Sequence, residues 1–247
     1  MKPILEFSHV HLAGETPTDT EAVSDISFSV GKGEFLSIIG APDSGKSEIL
    51  SAIIGLETPV RGALSFYNEC NHAFTERIGL LRQNNGCFQW QISYRNVLFE
   101  HHISNHCQSK PCAHACASST ENNETCCKER KAQNHSYIMN KRADLIRSLA
   151  QEPDILLLDE PFTGFDDTMK LLLYQDIKRM SKEENQTVIL ATTDLSAAVY
   201  VSDRILLLSK SPSTITADES IEWTNQDSYS KLFQEYYNKL WHLYFTK

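Results

Sequence analysis

Residues 40–47 have the types and spacing of a phosphate-binding loop. They read Gly-Ala-Pro-Asp-Ser-Gly-Lys-Ser and match G-x-x-x-x-G-K-[ST] at every specified position. The glycines allow a tight turn whose backbone N–H groups point inward at an anion, and a following helix adds its positive dipole end. We expect Lys46 to reach the β- and γ-phosphates of a phosphate chain and the Ser47 hydroxyl to ligate Mg²⁺. The candidate binding residues are Gly40, Ala41, Pro42, Asp43, Ser44, Gly45, Lys46, Ser47 and Glu48.

Asp159 and Glu160 form a second candidate group, directly after the aliphatic run 155–158. Consecutive aliphatic residues without alternation predict a strand buried on both faces, as in a parallel sheet. Ligands of open α/β sheets bind at the carboxyl ends of such strands. We therefore expect Asp159 to hold Mg²⁺ through water and Glu160 to position or deprotonate an attacking water. The alternative is a solvated Asp-Glu pair in a turn, which the presence of the phosphate loop disfavours.

Strands and helices with clear patterns surround these residues. Residues 34–39 form a short apolar run and 47–55 carry apolar residues at helical spacing, so the loop lies between a strand and a helix rather than in an accidental glycine-rich turn. Residues 4–10 and 23–30 alternate apolar with polar and predict half-buried antiparallel strands. The other predicted strands are 61–66, 77–83, 187–191 and 204–209, and the other predicted helices are 138–150, 168–182 and one within the aromatic tail 229–244.

The composition indicates a folded protein without a nucleic-acid surface. The chain has 247 residues, of which 41% are hydrophobic, so it is long enough to bury a full core. Its 23 basic and 32 acidic residues give a formal net charge of −9 with no long basic run, which argues against binding to a phosphate backbone. We see no signal peptide and no run of about 18–20 apolar residues that would cross a bilayer. The sequence thus predicts a cytosolic protein whose cysteines are thiols or metal ligands rather than disulfides.

These motifs together resemble the ATP-binding subunit of ABC transporters along nearly the whole chain. Residues 40–47 are similar to Walker A, Gln83 to the Q-loop glutamine, and 155–160 to Walker B with its catalytic glutamate. Residues 164–166 are similar to the D-loop, whereas 88–90, 96–97 and 193–212 resemble the nitrate/sulfonate/taurine importer branch. The resemblance implies ATP and Mg²⁺ as cofactors, with Gln83 both a catalytic residue and a metal ligand.

The resemblance also implies the architecture and the partners. The expected fold class is α/β, a P-loop NTPase (RecA-like) core with an antiparallel β subdomain and an inserted helical subdomain. The whole of 1–247 would be one ABC-type nucleotide-binding domain, divided into 1–83 (β layer and phosphate loop), 84–137 (degenerate helical subdomain), 138–209 (signature helix, Walker B and core strands) and 210–247 (C-terminal tail). Expected partners are membrane permease subunits, a second ATPase subunit and a periplasmic or extracellular substrate-binding protein, with the chain peripheral on the inner face of the cell membrane.

Two departures from the family pattern predict slow hydrolysis. The LSGGQ signature aligns with 135–139, which reads His-Ser-Tyr-Ile-Met and lacks both glycines that approach the γ-phosphate in the opposite subunit. Thr193 occupies the position of the switch histidine and cannot reach a γ-phosphate as an imidazole does. Glu48, where the family commonly has threonine, and the lack of a clear aromatic in 10–20 predict weaker binding as well.

Residues 84–137 are polar and rich in cysteine and histidine, and they lack the apolar residues of a packed helical layer. Thiolate and imidazole groups at irregular spacing there suggest Zn²⁺ or another soft metal. The candidate ligands are Cys107, Cys112, His114, Cys116, Cys126 and Cys127. The alternative is a loosely structured insertion with reactive thiols.

Three functional hypotheses follow from these observations. The leading one is an ATP-binding, slowly hydrolysing subunit that drives an importer permease. The second is a regulatory module that holds nucleotide with little hydrolysis while the thiol-rich segment senses metal or redox state. The third is a soluble ABC ATPase acting on nucleic acid or ribosomes, which ranks last because such proteins usually carry two nucleotide domains and this chain has one Walker A motif.

Overall fold

The computed structural model describes residues 3–14, 21–67, 78–82, 148, 153–183, 185–221 and 231–245. Its strands are β1 (Pro3–Leu12), β2 (Val23–Gly31), β3 (Phe35–Ile39), β4 (Arg61–Phe66), β5 (Ile78–Leu81), β6 (Ile155–Asp159), β7 (Thr187–Thr192), β8 (Arg204–Leu208) and β9 (Ile215–Ser220). Its helices are α1 (Lys46–Ile53), α2 (Asp167–Glu183), α3 (Leu195–Val201) and α4 (Lys231–Phe245).

A six-stranded sheet in the order β5-β6-β7-β3-β8-β9 forms the core, and all its neighbouring pairs are parallel except β8 with β9. Strands β3 and β7 are buried at every position, as continuous aliphatic runs predict. Asp159 pairs with Ala191, and Ile39 pairs with Thr192. Because these pairs lie at the carboxyl ends of parallel strands, the phosphate loop, the Asp-Glu pair and the segment after β7 meet at one edge.

A second sheet, β2-β1-β4, is antiparallel and confirms the alternating pattern of the first strands. Its inward side chains join α1 and one face of the core sheet in a single cluster, in which the rings of Phe7 and Phe28 stack with centroids 4.5 Å apart. Helix α1 is therefore buried against apolar side chains from both sheets. This packing fixes the helix that begins at the phosphate loop.

The other face of the core sheet is covered by helices. Leu173, Tyr174 and Ile177 of α2 pack with residues of β6, β7 and α3, and Leu240 of α4 joins a third cluster with α3 and β8. The chain is thus the predicted α/β fold with a parallel core and an antiparallel β layer. None of the helices in the described ranges is long and apolar enough to cross a membrane.

The predicted strands and helices agree with the observed ones wherever the structure describes them, but two elements were missed. Helix α3 and strand β9 were not predicted, the latter having been placed in the C-terminal tail. Helix α1 ends as expected, with Gly55 in the left-handed region at φ 78° just beyond it. The segment 84–137 and nearly all of the helix predicted over 138–150 lie outside the described residues.

Candidate active site

The phosphate loop depends on two glycines for its shape. Gly40 follows β3 directly, and a Cβ there would collide with the Ser44 side chain. Gly45 has φ 76°, a conformation that L side chains rarely adopt, and a Cβ there would collide with Val23. The loop therefore folds as a tight cradle at the beginning of α1, and a side chain at either position would collide with residues packed around it.

Lys46 is the cation of this cradle. Its side chain is buried, and Nζ donates to the carbonyl oxygens of Gly40 (2.8 Å) and Ala41 (2.7 Å) and, at 3.4 Å, to Ser44 Oγ. Burial lowers the pKa of Lys46, although nearby carboxylates, Glu160 first among them, act in the opposite direction. A buried ammonium in this cradle can anchor an anion electrostatically.

The remaining loop residues lie at the surface or support the cradle from behind. Pro42, Asp43 and Ser47 are exposed, whereas Ala41 and Glu48 are half-buried. Asp43 has φ 61°, a conformation that aspartate tolerates better than most residues.

Ser213, which the sequence analysis missed, fastens the loop to the connection between β8 and β9. Its buried hydroxyl lies 2.7 Å from the carbonyl oxygen of Ser44 and 3.2 Å from that of Ala22. No local pattern identifies this serine, because the contact spans 169 residues of sequence. The support of the cradle thus comes from a distant part of the chain.

Glu160 lies beside the loop in a constrained backbone position. It has φ 43°, and its N–H donates to the carbonyl of Ala191 on β7 at 2.9 Å. Burial raises the pKa of Glu160, while the positive charge of Lys46 and a hydrogen bond from Thr192 lower it. Asp159, the last residue of β6, is half-buried at the same edge. A carboxylate whose pKa burial has raised has the character of a general base.

Thr193 follows β7 at this edge and is exposed. Its backbone forms a hydrogen bond that lowers the pKa of Glu160, so position 193 adjoins the candidate base. The structure thereby brings together the loop, Asp159, Glu160 and Thr193. Gln83 and the signature-aligned segment 135–139 lie outside the described residues, so their roles stay predictions.

The soft-metal hypothesis gains no support from the structure. All its proposed ligands, Cys107, Cys112, His114, Cys116, Cys126 and Cys127, lie outside the described residues. Within the part of the chain that is described, no group of three or more His, Cys, Asp or Glu side chains could hold a metal.

Comparisons with known proteins agree with this geometry. The family model described as "ABC transporter" matches residues 23–163. An ABC transporter ATP-binding protein of Bacillus subtilis (strain 168), YtlC, is 34% identical over 85% of this chain and 82% of its own length. The chain belongs to the ABC transporter family. Other ABC relatives are the aliphatic sulfonates import protein SsuB 1 of Xanthomonas axonopodis pv. citri (strain 306) and the nitrate transport protein NasD of Klebsiella oxytoca, each 27% identical over 85% of its own length and 86% or 88% of this chain.

These relatives confirm the predicted nitrate/sulfonate/taurine importer branch of the ABC family.

Solved structures confirm the P-loop fold. A dimeric ATP-binding cassette in a post-hydrolysis state with ADP and Pi superposes with a TM-score of 0.72 at 23% identity, covering 89% of this chain and 99% of that one. The cassette cbiO1 of Clostridium perfringens gives 0.74 at 22% identity, with 89% of each chain covered.

The site fits the ATP and Mg²⁺ that ABC proteins use. Gly40 and Gly45 allow the tight turn from which backbone N–H groups can point at a phosphate, and Lys46 supplies a buried cation there. Ser47 and Asp159 offer hydroxyl and carboxylate oxygens, the hard donors that Mg²⁺ prefers. Such a small set suits Mg²⁺, which binds few protein ligands together with phosphate oxygens and water.

Proposed function

We propose that this chain is the ATP-binding subunit of an ABC importer and couples ATP binding and slow hydrolysis to transport through a membrane permease. Its proposed partners are permease subunits, a second ATPase subunit and an external substrate-binding protein, and its place is the cytoplasmic face of the membrane. Its importer-type relatives support this assignment. The observation that carries it is that the phosphate loop with its buried Lys46 lies at the same edge of the core sheet as Glu160.

The proposed roles follow from the chemistry of each group. Lys46 and the loop N–H groups hold the phosphates, and Ser47 with Asp159 and the predicted ligand Gln83 would hold Mg²⁺, which neutralises phosphate charge when bound. Glu160 orients the attacking water and accepts its proton, because its carboxylate is buried beside the loop.

Slow hydrolysis is proposed from position 193. The side chain of threonine is shorter than that of histidine and cannot carry a positive charge. It therefore stabilises the negative charge that develops on the γ-phosphate less well. Thr193 is also exposed, and its backbone rather than its side chain interacts with Glu160. The altered signature at 135–139 is expected to slow turnover further.

The test is ATP binding and steady-state turnover with Mg²⁺ for the wild type, Lys46→Ala and Glu160→Gln. We expect Lys46→Ala to lose binding, and Glu160→Gln to retain binding while turnover falls at least about a hundredfold. Reconstitution with the permease of the same system should stimulate the wild type. Binding without any turnover, alone or with the permease, would instead favour a regulatory nucleotide-binding subunit.

A further inference from the structure

Glu160 is connected to α2 through a chain of hydrogen bonds. Thr192 Oγ1 lies 3.1 Å from Glu160 Oε2 and 3.0 Å from the backbone nitrogen of Asp194. Thr192 ends β7 and is fully buried. Its hydroxyl therefore lies between the carboxylate of Glu160, the candidate base, and the backbone N–H of Asp194.

The groups at the two ends of this series of hydrogen bonds fix which group donates and which accepts in each bond. The Asp194 N–H can only donate, so it uses a lone pair of the Thr192 hydroxyl. The hydroxyl proton is then directed to the carboxylate of Glu160, which can accept only if that oxygen is unprotonated. The hydrogen bond holds Oε2 of Glu160 at the Thr192 hydroxyl and restricts the rotation of the carboxylate.

Asp194 is itself held in place by three contacts. Oδ1 accepts the N–H of Ala197 at 3.1 Å and caps α3. Oδ2 accepts from Lys170 Nζ at 2.7 Å and from the Tyr174 hydroxyl at 3.3 Å. Burial raises the pKa of Asp194, but the hydrogen bonds from Lys170 and Ala197 outweigh it, so the pKa is lowered and the carboxylate stays charged.

Lys170 and Tyr174 belong to α2, which begins just after the segment 164–166. The Tyr174 ring packs edge-on against Phe162 with centroids 4.5 Å apart, and Phe162 lies two residues after Glu160. The contacts form a closed circuit from Glu160 through Thr192, Asp194 and α2 back to the chain beyond Glu160. A circuit of this kind resists displacement of any one member.

We propose that Thr192 is a positioning residue for Glu160, with the Lys170–Asp194 ion pair holding in place the Asp194 backbone N–H that donates to Thr192. This inference rests on the proposed role of Glu160 as the base. Thr192 orients the Glu160 carboxylate without touching the nucleotide. Lys170, through its ion pair with Asp194, connects α2 to this hydrogen bond.

The test compares Thr192→Val, which keeps the shape and removes the hydroxyl, with Thr192→Ser, which keeps the hydroxyl. We expect Thr192→Val to lower kcat about tenfold with KM and nucleotide affinity unchanged, because one hydrogen bond to a charged group is lost. Thr192→Ser should behave as the wild type.

Lys170→Met, with Lys170→Arg as the matched control, extends the test to α2. Lys170→Met should lower kcat several-fold at unchanged KM, and the arginine should restore it. A loss of kcat in Thr192→Ser as large as that in Thr192→Val would overturn the proposal, because it would show general damage rather than loss of the hydroxyl. An unchanged kcat would also overturn it.

A readout that does not depend on turnover separates this inference from the proposed function. Protein labelled with ¹³C at glutamate carboxyls is compared by NMR at one fixed pH, and the Glu160 signal is assigned by its loss in Glu160→Gln. Thr192→Val should change the chemical shift of the Glu160 carboxyl, because its oxygen loses a hydrogen bond, and Thr192→Ser should not. If the wild type hydrolyses no ATP but this shift appears, the proposed function fails and the positioning role stands; no shift refutes the role.

Discussion

The buried side chain of Lys178 should make the free energy of unfolding depend on pH. It lies on α2 with 6% of its surface exposed, and Nζ donates to the carbonyl oxygen of Tyr200 at 2.7 Å. Burial lowers the pKa of Lys178 from 10.5 to about 8; the charge of Lys182 adds to this effect, and that of Asp203 opposes it. The folded protein therefore releases this proton more readily than the unfolded chain does.

The sign of the pH effect follows from proton linkage. Between about pH 8 and 10.5 the unfolded chain binds more protons at this position, so the free energy of unfolding rises with pH in that window. For these two pKa values, raising the pH from about 7 to 9.5 adds about 2 kcal/mol to stability. Below pH 8 the folded state carries the cost of burying the ammonium ion.

Urea unfolding of the wild type and Lys178→Met at about pH 7 and pH 9.5 measures the contribution of Lys178 to the pH dependence of stability. Subtracting the variant from the wild type removes the other titrating groups, and the difference should increase by about 2 kcal/mol toward pH 9.5. Lys210→Met, at an exposed position, controls for the loss of one positive charge and should follow the wild type. A difference independent of pH would refute the reasoning.

Two further predictions concern the phosphate loop. Gly45→Ala should abolish nucleotide binding and destabilise the fold by at least about 1 kcal/mol, because the alanine would adopt positive φ and collide with Val23; calorimetric titration with nucleotide and thermal melting check it. Ser213→Ala should weaken nucleotide affinity and cost about 1–2 kcal/mol of stability, because its hydroxyl proton is no longer donated to the Ser44 and Ala22 carbonyls; calorimetric titration and urea unfolding check it, and unchanged affinity and stability would contradict this cause.

Much of the fold could be predicted because its signals are local. The phosphate loop has fixed spacing, and the aliphatic run before Asp159 identifies a buried parallel strand without reference to the rest of the chain. Parallel strands then bring their carboxyl ends to one edge, so the proximity of the loop to Glu160 followed from secondary structure alone. The spacing of the loop residues and the aliphatic run before Asp159 are therefore enough to predict where the site lies.

The missed features lack a local signal. Helix α3 is buried on nearly every side and so has no polar face to give helical periodicity, and β9 is half-buried or exposed with few apolar residues. The support by Ser213 and the bond from Thr192 to Glu160 join residues 169 and 32 positions apart. Common residue types in these contacts become significant only through tertiary packing.

Hydrolysis centred on Glu160 is tested most directly by measuring ATP turnover of the wild type, Thr193→His, Glu160→Gln and the combined Thr193→His/Glu160→Gln protein in one assay. We predict slow turnover in the wild type, an increase of at least about tenfold in Thr193→His, and loss of activity wherever Glu160 is replaced. Turnover that survives Glu160→Gln would contradict the claim that hydrolysis is centred on this carboxylate.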